Sequence, residues 1–139
     1  HNPQAIERIH SSPESFLERE NPKSLARFTH ILIMGHDWAI DQDLLTGILS
    51  MMDDKEWSTT VGTIGSKAKW NSFSTAAKQI GIKTSTLDQI LCPIGVDISA
   101  ESPEEIAIAV CAQIIDERAR ILRGEDKIKH TGWRATQTD

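Results

Sequence analysis

Three short stretches of this chain combine residue types that could do chemistry. The first is His36-Asp37-Trp38-Ala39-Ile40-Asp41. A histidine beside a carboxylate can act as a base, ligate a metal or hydrogen-bond a ligand. The plain alternative is that Asp37 or Asp41 caps a following helix while His36 orders the loop. The second is Gly62-Thr63-Ile64-Gly65-Ser66-Lys67-Ala68-Lys69, a glycine-bearing turn that opens a helix. Such a helix start offers free amides and a favourable dipole to an anion. Lys67 and Lys69 work against that dipole by roughly 0.3–1 kcal/mol each, a cost that a bound phosphate would reverse. Without a ligand the stretch is a turn with solvated lysines, and its spacing is not that of a Walker loop. The third is Cys92-Pro93-Ile94-Gly95-Val96-Asp97. Pro and Gly restrict this turn to few conformers. Cys92 is a reactive thiol if a cation or helix N-terminus lowers its pKa, and inert if it is buried.

Other chemistry lacks its pattern. The histidines at positions 1, 10, 30 and 130 form no ligand spacing, and the two cysteines, Cys92 and Cys111, form no metal motif, so no metal site is expected. No nucleophile elbow is present, and no G-x-G-x-x-G follows a first strand. No catalytic residue stands out. Cys111 lies inside an apolar run and is expected in the core.

The elements that must position the three stretches follow from periodicity. Ala5–His10 alternates and could be a strand. Ser12-Pro13 opens a short helix that stops near Asn21-Pro22. His30–Met34 is a continuous apolar run closed by Gly35, as in a strand covered on both faces of a parallel sheet. A helix over about Ala39–Met52 carries Leu44, Leu45, Ile48, Leu49 and Met52 at helical spacing, and Asp53–Glu56 is a polar loop. Trp57–Ile64, rich in β-branched residues, is the next strand. The helix after Ser66 carries Trp70, Phe73, Ala77 and Ile80 on one stripe and stops at Gly81, and Thr84–Leu91 contains a short helix.

Ser102-Pro103-Glu104-Glu105 is a capping box with proline at the first helical position. It opens a helix to about Arg123 whose first turns are apolar on every side, which predicts burial on more than one side. From Gly124 the chain is polar and reads as an irregular tail, residues 124–139, with Trp133 as its one docking group. Strand and helix alternate without hairpin signals, so the expected fold is α/β, a three-layer parallel sheet of βαβα repeats over residues 1–123.

The 139 residues suit one domain with a modest core. A formal net charge of −5 argues against a nucleic-acid surface. No apolar run approaches the roughly 18 residues of a membrane span. The chain opens at His1 with no leader in view, and two cysteines read as reduced thiols make a cytoplasmic location the expectation.

Taken in order, the three stretches resemble the carboxyl-terminal domain of the XdhC/CoxI family, which matures molybdenum hydroxylases. The family pattern has a T-H-D-x-x-x-D loop, a G-x-I-G-S-x-x-K turn, and C-P-I-G-x-x-I followed by S-P-x-E-I-A. Gly35–Asp41, Gly62–Lys69, Cys92–Ile98 and Ser102–Ala107 carry it here, with Gly35 where the pattern has Thr. The resemblance covers about Ala5 to Ile115. It implies a Rossmann-like domain without its first strands. It also implies binding of molybdenum cofactor (molybdopterin or its dinucleotide form), carried rather than used, and delivery to an apo-hydroxylase partner. The residues it implicates are His36, Asp37, Asp41, Gly65, Ser66, Lys69, Cys92, Gly95 and Asp97, joined by Gly62 and Lys67 of the second turn. A nicotinamide-dependent oxidoreductase, binding NAD(P) on the same sheet, is the alternative. The incomplete sheet implies a free strand edge, and with it a homo-oligomer.

Overall fold

The computed structural model describes residues 7, 9–53, 57–127 and 129–136. The expected strand over Ala5–His10 and the loop Asp53–Glu56 lie largely outside them; the described Glu7, Ile9 and His10 have no strand structure. The chain begins its regular structure with α1 (Pro13–Arg19), where Ser12 Oγ accepts from the Ser15 amide at 3.1 Å. Asn21-Pro22, read as a stop, also starts a second short helix, α2 (Pro22–Leu25). Asn21 and Ser24 satisfy each other's amides at 2.9 Å in a reciprocal cap.

Among the described residues two parallel strands form the sheet: β1 (His30–Ile33) and β2 (Thr60–Thr63), in register His30 with Thr60 through Ile33 with Thr63. On the far edge of β2, Leu91 adds a single parallel bridge to Gly62. The Leu91 amide donates to Val61 O at 3.0 Å and the Thr63 amide to Leu91 O at 2.8 Å. Helices cover both faces. On one side α3 (Trp38–Met52), α4 (Lys67–Gln79) and α5 (Thr84–Leu87) bury Leu45, Leu49, Phe73, Ala77 and Leu87 with Ile33 and Val61. On the other, α6 (Pro103–Leu122) packs Val110 onto Leu91 and Ile94, with Leu32, Ile64, Ile106 and Ile114 around them. Successive strand residues thus serve opposite faces, as a pleat requires. The result is the expected α/β arrangement: helices on both faces of an incomplete parallel sheet. No helix among the described residues is long and apolar enough to cross a membrane.

β1 is less covered than its apolar run suggests, because among the described residues it is paired on one side only; His30, Ile31 and Leu32 are half-buried. Ile80 also departs from expectation. α4 ends at Gln79, Gly81 turns away with φ 91°, and Ile82 takes the buried position while Ile80 faces solvent.

α6 starts at its reciprocal Ser102–Glu105 cap, as its sequence predicts. It is buried on one side only, through Ala109, Val110, Gln113 and Glu117. Glu117 fixes it to both strands: Thr60 Oγ1 donates to its carboxylate, and His30 Nε2 lies 3.3 Å from the other oxygen. Ile108 and Ile115 face outward, and so does Cys111, which is exposed rather than in the core. The apolar run identified a helix that could be enclosed; no described element lies over its outer side.

The polar tail is ordered enough to build a 3-10 helix, Gly132–Thr136, and Trp133 packs against the main core. Phe73 lies at the centre of that core with no solvent exposure. Phe73→Ala is expected to lower unfolding stability by about 3–5 kcal/mol, read as a shift of the urea midpoint with unchanged slope.

Candidate functional site

The carboxyl ends of parallel strands are where an α/β sheet leaves room for ligands. Here three loops leave those ends: Met34–Asp37 after β1, Ile64–Ser66 after β2, and Cys92–Ala100 after the Leu91 bridge. The first two are joined by a buried ion pair. Lys69 Nζ lies 2.9 Å from Asp41 Oδ2 and donates to Ile64 O at 3.1 Å, and the lysine is only 4% exposed. Small residues make room for it. A Cβ at Gly35 would overlap Asp41 Oδ1, and one at Gly65 would fall 2.7 Å from Lys69 Cδ. Lys69 is therefore no solvated lysine of a helix start; its charge is matched inside the protein.

The helix starts are set by local caps. Asp37 accepts from the amides of Ala39 at 2.9 Å and Ile40 at 3.3 Å, which begins α3 at Trp38. Ser66 accepts from the Lys69 amide at 3.3 Å and begins α4. The first amides of α4, at Lys67 and Ala68, precede any intrahelical acceptor.

The third loop is held from both sides. Ile94 N donates to Thr63 O at 3.0 Å and Val96 N to Ala109 O at 3.0 Å. Gly95 has φ 120°, and a Cβ there would press on Ala109 at 3.1 Å. Its amide donates to Gln113 Oε1 of α6, and its carbonyl accepts from Thr131 Oγ1 at 2.7 Å. Gln113 in turn donates to Lys129 O at 3.0 Å. Arg134, buried and stacked 4.2 Å over the Trp70 ring, donates to Ile90 O at 3.3 Å. Further along, Ser99 takes φ 54°, a left-handed conformation unusual for a residue with a Cβ.

Together the loops enclose a cleft of about 500 Å³. Ile64, Ile94 and Ile106 give it an apolar floor, Ser66, Ser99 and Thr131 contribute hydroxyl groups, and Trp38 stands at its edge, 48% exposed. Of the residues implicated by sequence, Gly65, Ser66, Lys69, Gly95 and Asp97 line this cleft. The others are placed differently. His36 is exposed in the first loop, Asp37 is a cap, Asp41 is the partner of Lys69, and Lys67 is exposed in the first turn of α4. Gly62 lies in β2, where a side chain would overlap Ile94. Cys92, joined to Pro93 by a cis peptide bond, is buried. Burial pushes its thiol up to about 11, against the lowering effect of the Arg134 and Lys69 charges. A buried thiol that holds its proton fits the packed reading of Cys92.

Sequence reasoning missed Trp38, Ser99, Thr131 and Gly132 as cleft residues. Trp38 sits inside the first stretch, and an aromatic residue opening a helix beside a strand end was the available signal. Thr131 and Gly132 carry none, because they reach the cleft only through the fold of the tail. A second hollow, about 540 Å³, runs along β1 and is lined mostly by hydrocarbon from residues such as Phe16, Phe28, Ile31 and Leu44. It offers little to a polar ligand.

Lys69→Met, which strands the Asp41 carboxylate, is expected to cost about 3–5 kcal/mol of stability, and adding Asp41→Asn should recover most of it; chemical denaturation of the three proteins checks both. Cys92 gives a pH dependence. The unfolded chain releases the thiol proton near its ordinary value of 9.0, while the folded protein holds it to about 11. Over that window the unfolded state binds fewer protons, so stability falls as pH rises, by about 2–3 kcal/mol at most. Denaturation curves for the parent and Cys92→Ala should diverge in slope between pH 9 and pH 11.

No curated protein sequence matches the chain. The family model of the XdhC Rossmann domain matches residues 2–114, a span that contains all three loops and the first half of α6. On that match, covering most of its length, and on an incomplete parallel sheet whose loops meet at one end, the chain belongs to the XdhC Rossmann domain family.

Proposed function

We propose that this domain is an accessory module that holds molybdenum cofactor, as molybdopterin or its dinucleotide form, in the cleft at the strand ends and passes it to an apo molybdenum hydroxylase of the xanthine dehydrogenase type. The observation that carries this reading is the convergence of three loops on one cleft at the carboxyl edge of a sheet in the XdhC Rossmann domain family. The cleft's donor set fits a planar, polar-edged ring with an anionic tail. It has an apolar floor, an exposed indole, hydroxyl groups and one helix start. When bound, the cofactor supplies the molybdenum centre that the recipient enzyme uses; this chain carries it.

The residues divide the work by chemistry. The free amides at the start of α4 take the phosphate, assisted by the exposed Lys67. Lys69 serves indirectly, since its charge is spent on Asp41 and on keeping two cleft walls together. Trp38 covers the ring face, and a ring contact of this kind is worth about 0.5–1.5 kcal/mol beyond its area. The Asp97 carboxylate accepts from amino and ring N–H groups, and the Ser66 and Ser99 hydroxyls complete the polar edge. Release to a partner is favoured by an open cleft whose rim residues, Trp38, Asp97 and Ser99, are all exposed.

Fluorescence titration with molybdenum cofactor tests the site. Trp38→Ala and Asp97→Ala should each weaken binding by about 5- to 30-fold, the loss of one ring contact or one charge-assisted hydrogen bond. Unchanged affinity in both variants would remove the assignment. A parallel thermal-shift measurement with NAD and NADP separates the nicotinamide-dependent alternative: stabilisation by either, without response to molybdenum cofactor, would put an oxidoreductase in its place.

A further inference from the structure

We propose that the outward face of α6 pairs antiparallel with the same face of a second copy of this chain. Ile108, Cys111, Ile115 and Leu122 are spaced by three, four and seven residues, so they form one stripe along the helix. That stripe lies opposite the buried Ala109, Val110, Gln113 and Glu117. Ile108 is 62% exposed, Ile115 61% and Leu122 80%. Three large aliphatic side chains in a row on one helix face are a contact surface rather than scattered exposure.

The charges on the same stripe select the occupant and its direction. Glu104 lies at the head of the stripe and Arg118 toward its tail, each seven residues from Cys111, and both are exposed. Parallel self-pairing would set Glu104 against Glu104 and Arg118 against Arg118. Antiparallel pairing about a two-fold axis at Cys111 sets Glu104 beside Arg118 of the second copy, twice. It also brings Ile108, three residues before the axis, level with Ile115 of the second copy, four residues after it. The helix dipoles then oppose, which favours the same direction. Between Glu104 and Arg118 the stripe is thus complementary to itself in charge and in the placement of its isoleucines, as an isologous interface requires, and Leu122 lies beyond that span. A lipid surface is a poorer match, because the stripe begins with a carboxylate and the chain carries a net charge of −5.

Cys111 supplies the test, since Cys92, the chain's other cysteine, is buried. Sedimentation velocity of the 139-residue chain should show a dimer in the micromolar range. A short bismaleimide should join the two Cys111 thiols, and Cys111→Ser should abolish the product. Ile115→Glu, at an exposed position outside the core, should return the protein to monomer with an unchanged far-UV circular dichroism spectrum. Glu104→Arg and Arg118→Glu should each weaken the dimer about fivefold or more, and the two together should restore it. A monomer at all concentrations, a dimer that survives Ile115→Glu, or a dimer that bismaleimide does not join through Cys111 would each overturn the proposal and give this face to another occupant.

Discussion

The buried contact between Lys69 and Asp41 sets the conditions for everything around it. Two charges removed from water are tolerated only when each satisfies the other closely, and here the ammonium also meets a backbone carbonyl. That requirement reaches back to the loops. Gly35 must lack a side chain so that the carboxylate can lie against it, and Gly65 must lack one so that the lysine stem can pass. The pair also removes the conflict of a cation in the first turn of α4, since the charge is directed away from the helix axis and into a carboxylate. With the first two loops tied, the floor of the cleft has a fixed width.

The opposite wall has a different logic. It is held through main-chain groups: the Gly95 peptide through its amide by α6 and through its carbonyl by Thr131, and the Ile90 carbonyl by the Arg134 guanidinium. Gly95 can be approached this closely because it has no Cβ and adopts a backbone angle that L residues rarely reach. Further along, Ser99 adopts a left-handed conformation at the rim of the cleft.

What the sequence made legible follows from how local each determinant is. α3, α4 and α6 are announced by caps within three residues of their starts, by apolar spacing and, for α4, by a stopping glycine, and all three begin within a residue of expectation. The glycine-bearing turns mark the cleft for the same reason. Lys69 was legible as a residue of interest but not in its role, because its partner lies 28 residues earlier. The reading of Cys111 failed because an apolar helix shows that it can be covered, not which of its sides has a neighbour. Ile80 failed because the apolar spacing continues one residue past Gln79, where α4 ends ahead of the turn at Gly81. The tail was illegible because Thr131 and Arg134 act on main-chain carbonyls, which leave no complementary side chain to recognise.

That tail has a consequence for when the protein acquires its cleft. The wall at Ile90–Gly95 is completed by donors that follow it in the chain by 36 residues at Thr131 and 44 at Arg134. A ribosome releases the β1 and β2 loops, with Asp41 and Lys69, before those donors emerge. Until α6 and the segment after it are made, the floor lacks Ile106 and the wall lacks the side chains that hold it. The cleft is completed last, and a polypeptide cut just before residue 131 would lose the Thr131 and Arg134 bonds to this wall together with the Trp133 contact to the main core.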